Sequence, residues 1–220
     1  MAERVAERRR LLLEAALDAF GSRGYQAVTV REICAGARLT ERYFYESFDS
    51  LEALFSALYL SLNGQLRAAT LAALMRAQLA TARSPDAARI DALSEAGLRV
   101  FLEFIRDDPR RARVMLIDAI SISHGVGQMA DQITREYAEL TRSFIAQLFP
   151  AADARGIDTD IIATGLLGAN IHIATRWVRD GLKTPLEDLL RNNLAIYRAL
   201  SAYWPKVPPA PMADDAARKA

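Results

Sequence analysis

The sequence predicts an all-α protein of about nine helices, and three observations predict it. Apolar residues recur at three- and four-residue steps along most of the chain, the spacing that lines one face of a helix, while strict apolar–polar alternation is absent. Pro85, Pro109, Pro150 and Pro185 fall between these stretches, where a residue lacking an N–H ends one helix or opens the next. Helix-starting groups stand at matching places: Thr29 with Glu32, and Thr184 with Pro185 and Glu187.

Composition sets the outer bounds. With 51% hydrophobic and 25% charged residues in 220, the chain can bury one good-sized core and a small satellite unit. Its single cysteine, Cys34, excludes an internal disulfide framework and a cysteine zinc site, and it sits on an apolar helix face as a core residue would. Neither a leader pattern nor an apolar run of membrane-spanning length is present, so the expected location is cytoplasmic, with no membrane partner.

The first helix carries Leu12, Leu13, Ala16, Leu17, Ala19 and Phe20 as its inner stripe and ends at Gly21 or Gly24. Before the stripe stand Arg4 and the run Arg8-Arg9-Arg10, which would either follow a phosphate backbone or form a solvated helix start. Thr29 and Glu32 form a capping box, so a short second helix starts at Val30 and runs through Ile33, Cys34 and Ala35. The segment Gly36-Ala37-Arg38 breaks it. Thr40 then caps a third helix, with Leu39 and Phe44 placed as a hydrophobic staple and Phe48 one turn further on the same buried face.

Opposite that face lie Arg42 and Glu46, flanked by Tyr43 and Tyr45. Two short helices joined by a tight turn make a helix-turn-helix, and this outer face suits the DNA major groove. Arg42 can donate two hydrogen bonds to a guanine edge, the tyrosine hydroxyls can hold phosphates, and Glu46 fits only if it accepts from a cytosine amino group. The competing reading makes Tyr43 and Tyr45 half-buried packing residues and Arg42 a solvated charge. Charge does not decide between them: residues 1–50 hold eight cations and eight carboxylates.

The N-terminal quarter resembles the DNA-binding domain of the TetR family of bacterial transcriptional regulators. The resemblance rests on Phe20-Gly21-Ser22-Arg23-Gly24-Tyr25, on Thr29-Val30-Arg31-Glu32-Ile33, and on the pattern Thr-x-x-x-aromatic-Tyr-x-x-Phe from Thr40 to Phe48. It implies that Thr29 and Tyr45 contact phosphates, that Arg42 and Tyr43 lie against the groove, and that Thr40 and Glu46 belong to the same surface. It also implies a repressor, released from a near-palindromic double-stranded operator by a small-molecule effector. Two positions depart from the family's pattern: Arg38 stands where Gly is usual in the turn, and Leu51 where a phosphate-binding Lys is usual. A left-handed Arg38 would cost about 1–2 kcal/mol, unless Gly36 takes that conformation.

After the third helix, Asp49, Ser50 and Glu52 open a fourth, whose inner side carries Leu51, Leu54, Phe55, Leu58 and Tyr59. Helices are expected at 50–81, 86–107, 109–123, 128–149, 157–180 and 185–204, and residues 205–220, with Pro205, Pro208, Pro209 and Pro211, read as a loose tail. The organisation is therefore a DNA-binding domain over 1–50, an effector-binding and dimerisation domain over 51–204, and the tail. The stretch Ile161 to Val178 holds Gly165, Gly168 and Ala169, and the last helix holds Leu190, Leu194 and Tyr197. Both helices could be core of one chain; the resemblance implies a homodimer through them.

A small-molecule cavity in the body would draw on Phe101, Phe104 and Trp177, on Met115, and on the polar Asp118, Ser121, His124 and His172, though each is also an ordinary interior residue. His124 falls near an expected helix end before Gly125 and Gly127, and His172 on an apolar helix reads as a buried, satisfied histidine. Catalysis finds no support. Ser121 and Ala169 precede the two histidines by three, so no Glu-x-x-His pair exists, and there is no nucleophile elbow or phosphate loop. No cofactor or metal is expected. The runner-up is a helical ligand- or partner-binding protein that no longer reads DNA, motivated by Arg38, Leu51 and the neutral first fifty residues.

Overall fold

In the computed structural model, which describes residues 2–119, 121–148 and 158–203, the chain forms nine α-helices and, among the described residues, no strand. These are α1 (Ala2–Arg23), α2 (Val30–Ala37), α3 (Glu41–Tyr45), α4 (Leu51–Ala80), α5 (Asp86–Asp107), α6 (Pro109–Ala112), α7 (His124–Leu148), α8 (Thr159–Arg179) and α9 (Leu186–Tyr203). The expected tail at 205–220 lies outside the described residues.

Local chemistry starts each element. The Thr29 hydroxyl accepts from the Glu32 amide at 3.3 Å and the Glu32 carboxylate accepts from the Thr29 amide at 2.8 Å, completing the capping box of α2. Ser50 caps α4 by accepting from the Ala53 amide, and Asp158 caps α8 by accepting from Asp160 and Ile161. Leu12, Ala16 and Phe20 of α1 are fully buried against Ile33, Phe44, Leu54 and Phe55. One core therefore runs from α1–α3 into the first half of α4 and on to Val114 and Val126. A second core, with Leu102, Ala174, Trp177, Leu190 and Leu194, joins α5, α8 and α9. Along these cores α4 packs on α5, α5 on α9, and α7 on α8.

Two expected elements differ. The helix expected over 109–123 is a single α turn at Pro109–Ala112 that widens into a π-helix at Arg113–Asp118. The next helix begins at His124 rather than 128, so Gly125 and Gly127 lie inside it instead of breaking the chain. Ser123 explains the early start: its hydroxyl accepts from the Val126 amide at 3.2 Å while donating to Glu52 at 2.7 Å, a cap that the two glycines do not override.

The end of α1 sits directly on α6. A Cβ at Gly21 would lie 2.8 Å from the Arg110 Cα and 2.9 Å from its carbonyl oxygen, so only glycine permits this approach. Gly24, at φ +87°, turns the chain beside the Arg113 guanidinium, and the Tyr25 amide then donates to the Asp118 carboxylate at 2.9 Å. Gly21→Ala should therefore destabilise the protein by about 1–3 kcal/mol through overpacking, more than the helix propensity it gains. Gly64→Ala on the exposed face of α4, where an added Cβ meets nothing, should instead stabilise by about 0.5–1 kcal/mol. Thermal unfolding of the two variants checks the opposite signs.

Candidate nucleic-acid interface and internal cavity

The turn between α2 and α3 is closed by Arg38, not by Gly36. Arg38 takes the left-handed conformation at φ 56°, ψ 39°; its amide donates to Ala35, and the Leu39 amide donates to Cys34. Gly36 serves packing instead, since a Cβ there would stand 3.4 Å from Ala15. Cys34 is buried, and burial raises its thiol pKa, which fits a core residue. Phe44 and Phe48 anchor α3 inward, leaving Tyr43 38% and Tyr45 56% exposed. The α-helical part of α3 is five residues, shorter than the expected span to Phe48, because the chain turns at Glu46 and Ser47 toward the Ser50 cap of α4.

Each DNA-facing candidate can be placed. Arg42 is the most open, with its side chain 85% exposed. Thr40 occupies the N-cap position in extended conformation, exposed, with its hydroxyl making no capping bond, so that hydroxyl is free to donate. The exposed Thr29 hydroxyl donates to Glu32 at 2.8 Å. Arg23, bonded at 2.5 Å, and Thr29 together hold the Glu32 carboxyl at a pKa of about 2. Leu51, where a lysine was looked for, is half-buried against the core.

Glu46 departs from the expectation of a lone carboxylate facing the groove. It accepts from Arg8 at 2.9 Å and from Arg42 at 3.2 Å, so its charge is balanced within the surface. The Arg8 guanidinium also stacks 4.3 Å from the Tyr43 ring, and that of Arg9 stacks 4.3 Å from the Phe48 ring while donating to the Ser47 carbonyl. Arg10 is held between Glu7 and Glu14. The arginine run thus braces α3 from α1, a contact between residues 38 apart that no local pattern announces.

In the body, α4, α5, α7, α8 and α9 enclose a cavity of about 340 Å³, with Met115 and Leu116 of the π-helix forming part of its wall. Of the eight residues expected around a pocket, only Phe101 and Met115 line it. Phe104 instead stacks 4.2 Å from the Arg111 guanidinium, Asp118 holds Tyr25, and Ser121 donates to the Asp118 carbonyl. His124 is exposed at the start of α7, Trp177 is buried in the second core where its indole donates to the Thr184 carbonyl at 2.8 Å, and His172 is exposed on α8 rather than buried. The polar residues that line the cavity were missed: Tyr59, Asn63, Asp131, Tyr137, Asn170 and Tyr197. The Tyr137 hydroxyl donates to the Asn63 carbonyl at 3.1 Å, and burial pushes its phenol up to about 12.

The helix pair expected to join two copies is only partly outward. Gly165 and Gly168 are exposed, with open space where a Cβ would be, and Ala169 is half-buried. Leu190 and Leu194 are 2% and 3% exposed in the chain's own core, and Tyr197 lines the cavity, so these three do not present to a partner. The outward apolar groups of these helices are Ile161, Ile196 and Tyr203. Among the described residues there is no group of three or more His, Cys, Asp or Glu placed to hold a metal, and no helix long and apolar enough to cross a membrane.

The sequence model of a family described as bacterial regulatory proteins, tetR family, matches residues 12–58. No curated protein matches the chain. Among solved structures, a protein of Pseudomonas aeruginosa PAO1, provisionally a transcriptional regulator, superposes with a TM-score of 0.73 at 22% identity, over 92% of this chain and 95% of that one. The fatty acid degradation regulator FadR of Bacillus halodurans does so at 0.69 and 15% identity, over 87% and 94%. FadR of Bacillus subtilis, solved with stearoyl-CoA, does so at 0.69 and 16% identity, over 86% and 96%. At these identities the likeness to the three structures is one of fold.

Replacing the left-handed residue tests the geometry of the turn. Arg38→Gly should raise stability by up to about 1 kcal/mol, the strain relieved being partly offset by a more flexible unfolded chain. A stability fall in urea titration would mean that the Arg38 side chain contributes more than its backbone conformation costs.

Proposed function

This chain belongs to the tetR family of bacterial regulatory proteins, and on that premise we propose that it is a homodimeric transcriptional repressor, released from a near-palindromic operator by a small molecule held in the body cavity. Residues 1–50 are the reading unit and residues 51–204 the responding one. Arg42 reads a base edge from α3; Thr29, Thr40, Tyr43 and Tyr45 lie along the phosphates; Glu46 braces Arg42 and Arg8 rather than touching the bases. A twofold dimer through the outer faces of α8 and α9, around Gly165, Gly168 and Ala169, would present two copies of α3 to half-sites one DNA turn apart.

One observation carries the regulatory part. The π-helix Arg113–Asp118 puts Met115 and Leu116 on the cavity wall and, two residues later, uses Asp118 to hold the Tyr25 amide at the end of α1. A cavity occupant that fits one placement of this segment better than another would shift the position of α1, and DNA affinity would change by that differential affinity. The resemblance in fold to a FadR solved with stearoyl-CoA supports a long apolar occupant. A ligand-binding protein without DNA readout is the second reading, favoured by the engagement of Arg8, Arg9 and Arg10 within the protein.

Titration of the purified protein against DNA from around its own coding region should give a sequence-selective complex that weakens steeply with salt as counterions are released. Arg42→Ala should cost about 1–3 kcal/mol and relax preference at one base position; weak binding that ignores both sequence and this substitution would favour the second reading. Asp118→Ala, remote from α3, should change the DNA affinity of the unliganded protein by about fivefold or more, corresponding to a coupling of about 1 kcal/mol. An unchanged affinity in the same retardation assay would remove the π-helix from the mechanism.

A further inference from the structure

The cavity is long, apolar and lined by acceptors. Its wall follows α7 from Ala130 to Ile145 and α4 from Tyr59 to Leu74, about 22 Å on each at 1.5 Å per residue. No Arg, Lys or His lines it, and Asp131 is its one carboxylate. Asp131 stands exposed at the rim, and no hydrogen bond or ion pair engages its side chain among the described residues. The nearby rim cations are committed elsewhere: Arg135 donates to Gln132 and Arg67 pairs with Glu136 at 3.1 Å. Tyr59 feels the carboxylate, since burial raises its phenol pKa and the Asp131 charge adds to the rise. A second acceptor lies deeper in the wall. Asn170 donates its amide N–H to the Tyr197 hydroxyl at 2.7 Å, while its Oδ1 is buried without a partner.

A fatty acid or acyl thioester with phosphates would bring anionic groups to a wall with no cation and one unneutralised carboxylate. An ammonium group would meet Asp131 and the aromatic faces of Tyr59 and Tyr137, while its chain covered Leu66, Leu74 and Leu93. We propose that the cavity binds an elongated lipophilic amine in its protonated form, with Asp131 as the residue that selects the cation and Asn170 Oδ1 as an acceptor for a further N–H or O–H group. The inference rests on the reading of this cavity as the effector site and adds the ligand's charge and shape.

The test titrates the full chain calorimetrically at pH 7.5 with decylamine, decanol and decanoate, each below its micelle concentration, and with decanoyl-CoA. Decylamine should bind at least tenfold more tightly than decanoate or decanoyl-CoA. Asp131→Asn, isosteric at an exposed position, should weaken decylamine about tenfold and leave decanol within twofold. An anionic probe that binds as tightly as the amine overturns the proposal, as does an amine affinity indifferent to Asp131→Asn or the absence of binding by decylamine. Operator retardation with the same probes separates the two readings. Decylamine binding that leaves DNA affinity unchanged sinks the regulatory reading and keeps the ligand class; DNA release by decanoate alone keeps the regulatory reading and sinks the ligand class.

Discussion

Four aromatic rings in contact tie the DNA-facing helices to the cavity, and the rest of the arrangement depends on their packing. Phe20 of α1 lies 5.5 Å from both Tyr25 and Phe55; Tyr25 meets Phe55 edge-on, and Phe55 stacks 6.4 Å from Tyr59 on the cavity wall. Phe20 and Phe55 are fully buried, so neither ring can move without its neighbours. The small N-terminal helices are too few to bury a core by themselves, and they complete it with α4 and the π-helix. Any displacement of α4 is consequently felt at α1, whatever its cause.

The electrostatics of the reading surface follow from placement rather than from composition. Residues 1–50 carry no net charge, yet the carboxylates that would oppose DNA are each occupied. Glu46 is held by Arg8 and Arg42, Glu32 by Arg23 and Thr29, and Glu7 and Glu14 by Arg10. These are exposed pairs, each worth little to stability. Their larger effect is to fix where Arg42 stands and to keep Tyr43 beneath Arg8. A neutral segment can in this way present a locally cationic face.

Much of the fold was legible because its signals are local. The capping box at Thr29, the Ser50 cap, the Leu39–Phe44 staple and the proline breaks each act within a few residues, and the structure uses them. The third helix was expected correctly at its start and too long at its end. The candidate site was less legible, for physical reasons that differ by residue. Periodicity placed Leu190, Leu194 and Tyr197 on an apolar face but could not say whether the chain's own α5 or a second copy would cover it; α5 does so for both leucines. The cavity is a gap between helices, so its lining depends on where five helices fail to meet, which no single stretch encodes. His172 sits among apolar neighbours in sequence and is nevertheless on the outside. The π-helix gave no sign at all, because its apolar Val114 and Met115 fit either helical period.

That wide turn bears on how the chain tolerates changes in length. A π-turn accommodates one residue more than the α-turn it replaces, so removing one residue between Arg113 and Asp118 would restore ordinary helical spacing and swing everything beyond it by about 100° around the axis. Asp118 would then leave Tyr25, although every side chain needed for the contact were still present. A deletion elsewhere on the surface, in the turn from Thr81 to Ser84 for example, shifts nothing of the kind. In this short segment the count of residues matters as much as their identity.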